Sequence, residues 1–126
     1  MIKDVSFNNQ TLIINTSQGT KEIVLACKIR QAFVFANRLF IRFDAGCFEG
    51  TEFYNRNIVC LDEQGKELWK VEDPDWYRSG KERTENPFVG LGLPKDGTMI
   101  GVTWDGFHIH IDISTGRLTG DWDYHK

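Results

Sequence analysis

At 126 residues and 14.5 kDa the chain has the length of one domain, enough to close a core without cross-links or metal. Its 15 Lys and Arg against 18 Asp and Glu leave a net charge of -3 and a pI near 5.6, which argues against a nucleic-acid binder and leaves room for a basic protein partner. The start, MIKDVSFNNQ, has no apolar leader core, and no apolar run is long enough to span a bilayer, so a cytoplasmic protein with no membrane association is expected.

Met1 to Cys27 holds two candidate strands, Val5 to Asn15 and Lys21 to Ala26, joined by Asn15-Thr16-Ser17-Gln18-Gly19-Thr20. Glycine after polar residues is hairpin chemistry, and Asn8-Asn9 offers a break within the first strand. Lys28 to Asp44 follows with two apolar stretches, Ala32 to Ala36 and Leu39 to Phe43, hinged at Asn37-Arg38. Their β-branched and aromatic content predicts strands, with a helix over Ile23 to Ala36 as the competing reading.

Ala45 to Asn57 is polar and contains two glycines, so it reads as a loop presenting Phe48, Glu49, Glu52, Phe53 and Tyr54. Asn57 to Asp62 and Glu67 to Glu72 form a further hairpin over Asp62-Glu63-Gln64-Gly65. The most polar stretch lies between two prolines, Pro74 and Pro87, and is the natural linker of the two halves. Asp73, Asp75, Trp76, Tyr77 and Arg78 lie in or beside it, and aromatics with arginine in a hydrophilic loop are what binding hot spots use. The same aromatics would serve equally as a lid over the core.

Phe88 to Asp123 is divided by Pro-Lys-Asp-Gly, Asp-Gly and Ser-Thr-Gly into four apolar stretches, a four-stranded meander. Phe107, Ile109, Ile111 and Ile113 alternate with His108, His110 and Asp112, the two-residue period of a strand with one buried face. The histidine face invites a metal reading. With His125 as the sole remaining histidine, a solvated face with Asp112 capping the next turn is the simpler one, and no metal or cofactor is expected. Glu49 and Glu52, or Asp121 and Asp123, do not make an obvious catalytic pair, and no nucleophile or phosphate-loop motif is present. Cys27, Cys47 and Cys60 are odd in number with no CxxC spacing, so three reduced thiols are expected.

INTSQGTKEIV, LDEQGKELWKV and IDISTGRLTGDW share a pattern of Asn or Asp, a polar turn, Gly and a new strand. Leu61-Asp62 followed by Gly65-Lys66-Glu67-Leu68-Trp69 resembles the ends of blades in the quinoprotein and WD-repeat β-propellers. Ile111-Asp112 with Ser114-Thr115-Gly116-Arg117 resembles them less fully, and Trp104-Asp105 is a WD dipeptide placed before a turn rather than at a blade end. A closed propeller needs about four to eight blades and this chain supplies about two and a half. The expected fold is therefore all-β: two four-stranded antiparallel propeller-like blades plus an N-terminal hairpin, with about nine or ten strands, packed as a sandwich or open barrel rather than a closed ring. Within a single domain, 1–126, the parts are the hairpin (1–27), a first unit (28–73), the linker (74–87) and a second unit (88–126).

In size, acidity and absence of a catalytic motif the chain is similar to the immunity proteins that bacteria keep against toxins of their own polymorphic or contact-dependent systems. That resemblance implies a non-enzymatic protein that binds a basic toxin domain, with the two aromatic loops as the docking surface. The alternatives from other classes are a small metal-dependent or hydrolytic enzyme using His108, His110 and Asp112, and a blade-like module for sugars or peptides.

Overall fold

A computed structural model describes residues 1–74 and 86–124, the last five of these by their backbone alone. Eleven strands are found among them, in three antiparallel sheets, each a simple meander. Sheet A contains β1 (Ile2–Asn8), β2 (Thr11–Thr16) and β3 (Gly19–Val24). Sheet B contains β4 (Ile29–Phe35), β5 (Arg38–Phe43), β6 (Ile58–Leu61) and β7 (Glu67–Lys70). Sheet C contains β8 (Phe88–Leu91), β9 (Thr98–Thr103), β10 (Phe107–Asp112) and β11 (Leu118–Tyr124). None of the three is closed into a barrel.

The turns obey local backbone chemistry. Asn9, with φ of 58°, breaks the first apolar stretch into β1 and β2, so the N-terminal segment is a sheet of its own and not a hairpin extending another. Ala36 and Asn37, with φ of 52° and 60°, form the two-residue reversal between β4 and β5. Both positive φ values are the signature of the tight turn that matches strand twist. Helix over Ile23 to Ala36 is not adopted. β4 alternates there, with Ala32 and Val34 packed on one core cluster and Phe33 on the other.

Sheet B is the middle layer and is buried on both sides. Leu39, Ile41, Phe43, Val59 and Leu61 face one way and pack with Leu12 and Ile14 of sheet A. Phe40, Ile58, Cys60 and Trp69 face the other way and pack with Phe88, Met99, Ile109 and Ile111 of sheet C. The pairing β5 to β6 sets Phe40 opposite Cys60 and Ile41 opposite Val59, which is why every residue of β6 is buried. Strands with two covered faces read as continuous apolar runs, and IVCL is such a run.

Close packing depends on two glycines, Gly101 within sheet C and Gly116 where sheet C meets sheet B. A Cβ at Gly101 would lie 2.5 Å from the Phe88 ring, and one at Gly116, where φ is +77°, would lie 2.4 Å from Trp69. Glycine is the residue that admits both the backbone conformation and the contact.

The expectation of three reduced cysteines is corrected. Cys27 and Cys47 form a disulfide with Cα atoms 5.8 Å apart, and Cys60 alone is a free thiol. Pairing of Ile29 with Phe43, extended by the Asp44 N–H bonding to the Lys28 carbonyl at 2.9 Å, brings the two cysteines to the open end of the β4–β5 hairpin. Linear spacing does not reveal that proximity. The bridge also removes the reason for inferring a reducing compartment from cysteine usage. No helix among the described residues is long and apolar enough to cross a membrane.

Candidate functional site

The segment between β5 and β6 is built from its first residue. Asp44 caps a short 3₁₀ turn, η1 (Ala45–Phe48), its side chain accepting the Gly46 N–H at 3.0 Å. Arg30 donates to the same carboxylate at 3.0 Å. The Gly46 N–H first, and the Arg30 charge and hydrogen bond with it, hold this carboxyl below its ordinary value. The disulfide ties Cys47, exposed on the turn, to the buried Cys27.

Two of the loop aromatics, Phe48 and Phe53, find internal contacts. Phe48 meets Phe43 edge-on with ring centroids 5.8 Å apart and joins the cluster between sheets A and B. Thr51 Oγ1 donates to the Phe48 carbonyl at 2.8 Å and accepts the Phe53 N–H at 3.1 Å, closing a second turn. Phe53 lies below two cations, the Arg56 guanidinium at 6.0 Å and the Lys70 ammonium at 5.2 Å from its centroid. Arg56 Nε in turn donates to the Val71 carbonyl at 2.9 Å.

The loop is bound to the rest of the chain by buried amides. Asn57 Nδ2 donates to the Phe43 and Phe88 carbonyls at 2.9 and 2.8 Å, while its Oδ1 accepts the Phe88 N–H at 2.9 Å. Asn55 Nδ2 donates to Asp73 at 3.1 Å, and its Oδ1 accepts the Asn86 N–H. The Asn57 bonds to Phe88 and the Asn55 bond to Asn86 tie the loop to the start of sheet C. Among the described residues, no hydrogen-bond partner is found for the buried Asn86 Nδ2.

The loop therefore carries the expected residues in altered form. Glu49 and Glu52 are exposed, but Phe48, Phe53 and Tyr54, expected to be exposed, are half-buried, Phe48 against Phe43 and Phe53 under Lys70. Asp73 is brought to the loop through Asn55. Asp75, Trp76, Tyr77 and Arg78 lie outside the described residues. Sequence reasoning missed Arg56, Lys70 and the two asparagines. The Asn55-x-Asn57 spacing just before an apolar run was the one available signal.

His108 and His110 lie on the face of β10 opposite the fully buried Ile109 and Ile111. Thr98 Oγ1 is 3.5 Å from His110 Nδ1, and Asp112 Oδ1 accepts the Ser114 N–H at 2.8 Å, capping the turn. His125 is outside the described residues. Among those described, no group of three or more His, Cys, Asp or Glu is placed to hold a metal ion.

In architecture the chain is similar to a crystal structure of the computationally designed Ika4 protein, with a TM-score of 0.57 and 15% identity over 99% of this chain and 74% of that one. It is also similar to the computationally designed Ika8 protein, with a TM-score of 0.56 and 15% identity over 98% of this chain, of whose length it spans 37%. At such identity the likeness is one of fold alone. No curated protein matches the sequence. The family model described as Domain of unknown function (DUF7957) matches residues 2–121, and the chain belongs to that family.

Proposed function

We propose that this protein is a non-enzymatic binding module of the immunity type, which neutralises a basic toxin domain by docking it on the loop 45–56 and the neighbouring segment from Asp73. The observation that carries the reading is the way the loop is braced. Glu49 and Glu52 are exposed on a segment held by a disulfide, a capped turn, two cations over Phe53 and the buried Asn57. A preorganised acidic loop loses little conformational entropy on binding, and its charge speeds encounter with a basic surface. Trp76 and Tyr77 are assigned to the same proposed surface as its aromatic anchors, with Asp75 and Arg78 as charged partners. The three stacked meanders support reading each sheet as a propeller-like blade that serves as scaffold rather than as a catalytic ring.

The test is affinity capture from the native cells followed by reconstitution with the purified partner. Reversing both loop charges, Glu49→Lys with Glu52→Lys, should slow association by about tenfold at low salt and much less at high salt. Ala at Trp76 or Tyr77 should weaken the complex by about 2 kcal/mol. Recovery of no basic protein, or a charge-reversed variant that associates at the wild-type rate, would sink the reading.

A further inference from the structure

We propose that the Cys27–Cys47 bridge is a thiol–disulfide exchange site, opened and closed by small thiols of the glutathione class reacting at the Cys47 sulfur. The two ends of the bridge differ in access. Cys27 is 0% exposed and packs within the cluster between sheets A and B, whereas Cys47 stands on the exposed side of the 3₁₀ turn. An attacking thiolate must approach the sulfur it binds, so the geometry allows attack at Cys47 and expels Cys27.

The leaving side is also prepared. Cys27 Sγ lies 3.0 Å from the Asp44 carbonyl oxygen, placed to accept a hydrogen bond from the thiol that forms. In the first step the incoming thiolate bonds to Cys47 Sγ, the bridge breaks, and its electron pair goes to Cys27 Sγ, which takes a proton from solvent. A second thiolate then attacks the small-molecule sulfur of the mixed disulfide, releasing Cys47 as thiolate and the oxidised small-molecule disulfide. Two thiols are oxidised and one protein disulfide is reduced, and the reverse sequence closes the bridge.

The third cysteine stays out of the exchange. Cys60 is 0% exposed between sheets B and C, and burial pushes its thiol up to about 11. It therefore lacks both the access and the thiolate needed to intercept the mixed disulfide. Asp44, Asn57 and Phe48 hold the loop through contacts that do not use sulfur, so opening releases the 3₁₀ turn from residue 27 and leaves the sheets in place. The exchange rests on burial and contact within this chain, and it stands or falls apart from the partner-binding reading.

The experiment uses the purified full chain in reduced and oxidised glutathione at several ratios, quenched with acid and mapped by peptide mass spectrometry. The expected adduct is a glutathione mixed disulfide on Cys47, with the bridged fraction following the glutathione ratio while the far-UV circular dichroism is unchanged. After reduction, a thiolate-selective reagent should label the exposed Cys47 at least about 100-fold faster than Cys60, which is 0% exposed and whose thiol burial pushes up to about 11. Cys47→Ser should abolish the adduct, and Cys60→Ser should leave it intact. An adduct on Cys27 or Cys60, or a bridge that exchanges only after denaturation, would overturn the proposal.

Discussion

The two faces of sheet B are sealed by different means. Toward sheet A the contact is largely aliphatic, with Leu39, Ile41 and Leu61 against Leu12 and Ile14, and the covalent tie is the Cys27–Cys47 bridge at its margin. Side-chain hydrogen bonds across it are few and peripheral, such as the Ile2 N–H to Asn37 at 2.8 Å and Lys21 to the Gln64 carbonyl at 2.8 Å. Toward sheet C the contact is aromatic, with Phe40, Trp69 and Phe88, and it is crossed by directional bonds. Trp69 Nε1 donates to the Ile113 carbonyl at 3.1 Å, Gln31 to the Leu91 carbonyl at 2.6 Å, and Asn57 makes two of its three bonds there, both to Phe88. Apolar area alone does not fix the register of one sheet on another, because it is non-directional. Buried hydrogen bonds fix it on the C side, and a cross-link beside a capped loop contributes to it on the A side.

The largest way to break this contrast is Phe40→Ala, which removes a side chain that is 1% exposed and stacks on Phe33 with centroids 5.4 Å apart. A loss of about 3–5 kcal/mol is expected in urea unfolding, with the C side opening first in hydrogen exchange. Reduction of the disulfide should cost less, about 3 kcal/mol on the chain-entropy account for residues separated by 20. Its signature is the opposite one: faster exchange in β3 and the 3₁₀ turn, with β8 to β10 unchanged. Equal loosening on both sides would show that the two seals are not independent.

Asn57→Ala sharpens the comparison from the polar side. It leaves the Phe88 N–H and two carbonyls buried without a partner, for an expected loss of about 2–3 kcal/mol. Asn57→Asp should not restore stability, since a carboxylate cannot donate to the Phe43 and Phe88 carbonyls. Rescue by Asp would contradict the assigned bonds.

The smallest effect is that of Asp44→Asn. The Asp44 carboxyl is held low when folded, so its contribution is fully present above the ordinary carboxylate range and is lost as the pH falls through its depressed value. The carboxylate is solvent-screened, so the expected loss is below about 1 kcal/mol near neutral pH. The difference from wild type should vanish in strong acid, and a difference that grows with acidification would refute the assignment.

Legibility followed the range of the interactions concerned. Gly65 and Gly116, with φ of +87° and +77°, were readable as turn glycines because a two- to four-residue turn is decided by its own backbone. The alternation of Ile109 and Ile111 with His108 and His110 was readable for the same reason. The half-burial of Phe48 and Phe53 was not, since it depends on Phe43 and Lys70 arriving from other elements. Nor was the disulfide, which follows from the register that places residue 29 opposite residue 43.

By itself the sequence determined an all-β chain of meanders, the positions of its turns and which side of β10 is apolar, all properties of side-chain period and backbone φ. Tertiary structure alone decided that the N-terminal strands form a third sheet, that the middle sheet is covered on both faces, and that Cys27 meets Cys47. The reason is that apolar strands specify that a face must be covered but not by what. Only the non-local register, set where Asn57 and the close approach at Gly116 admit one packing, selects the neighbour.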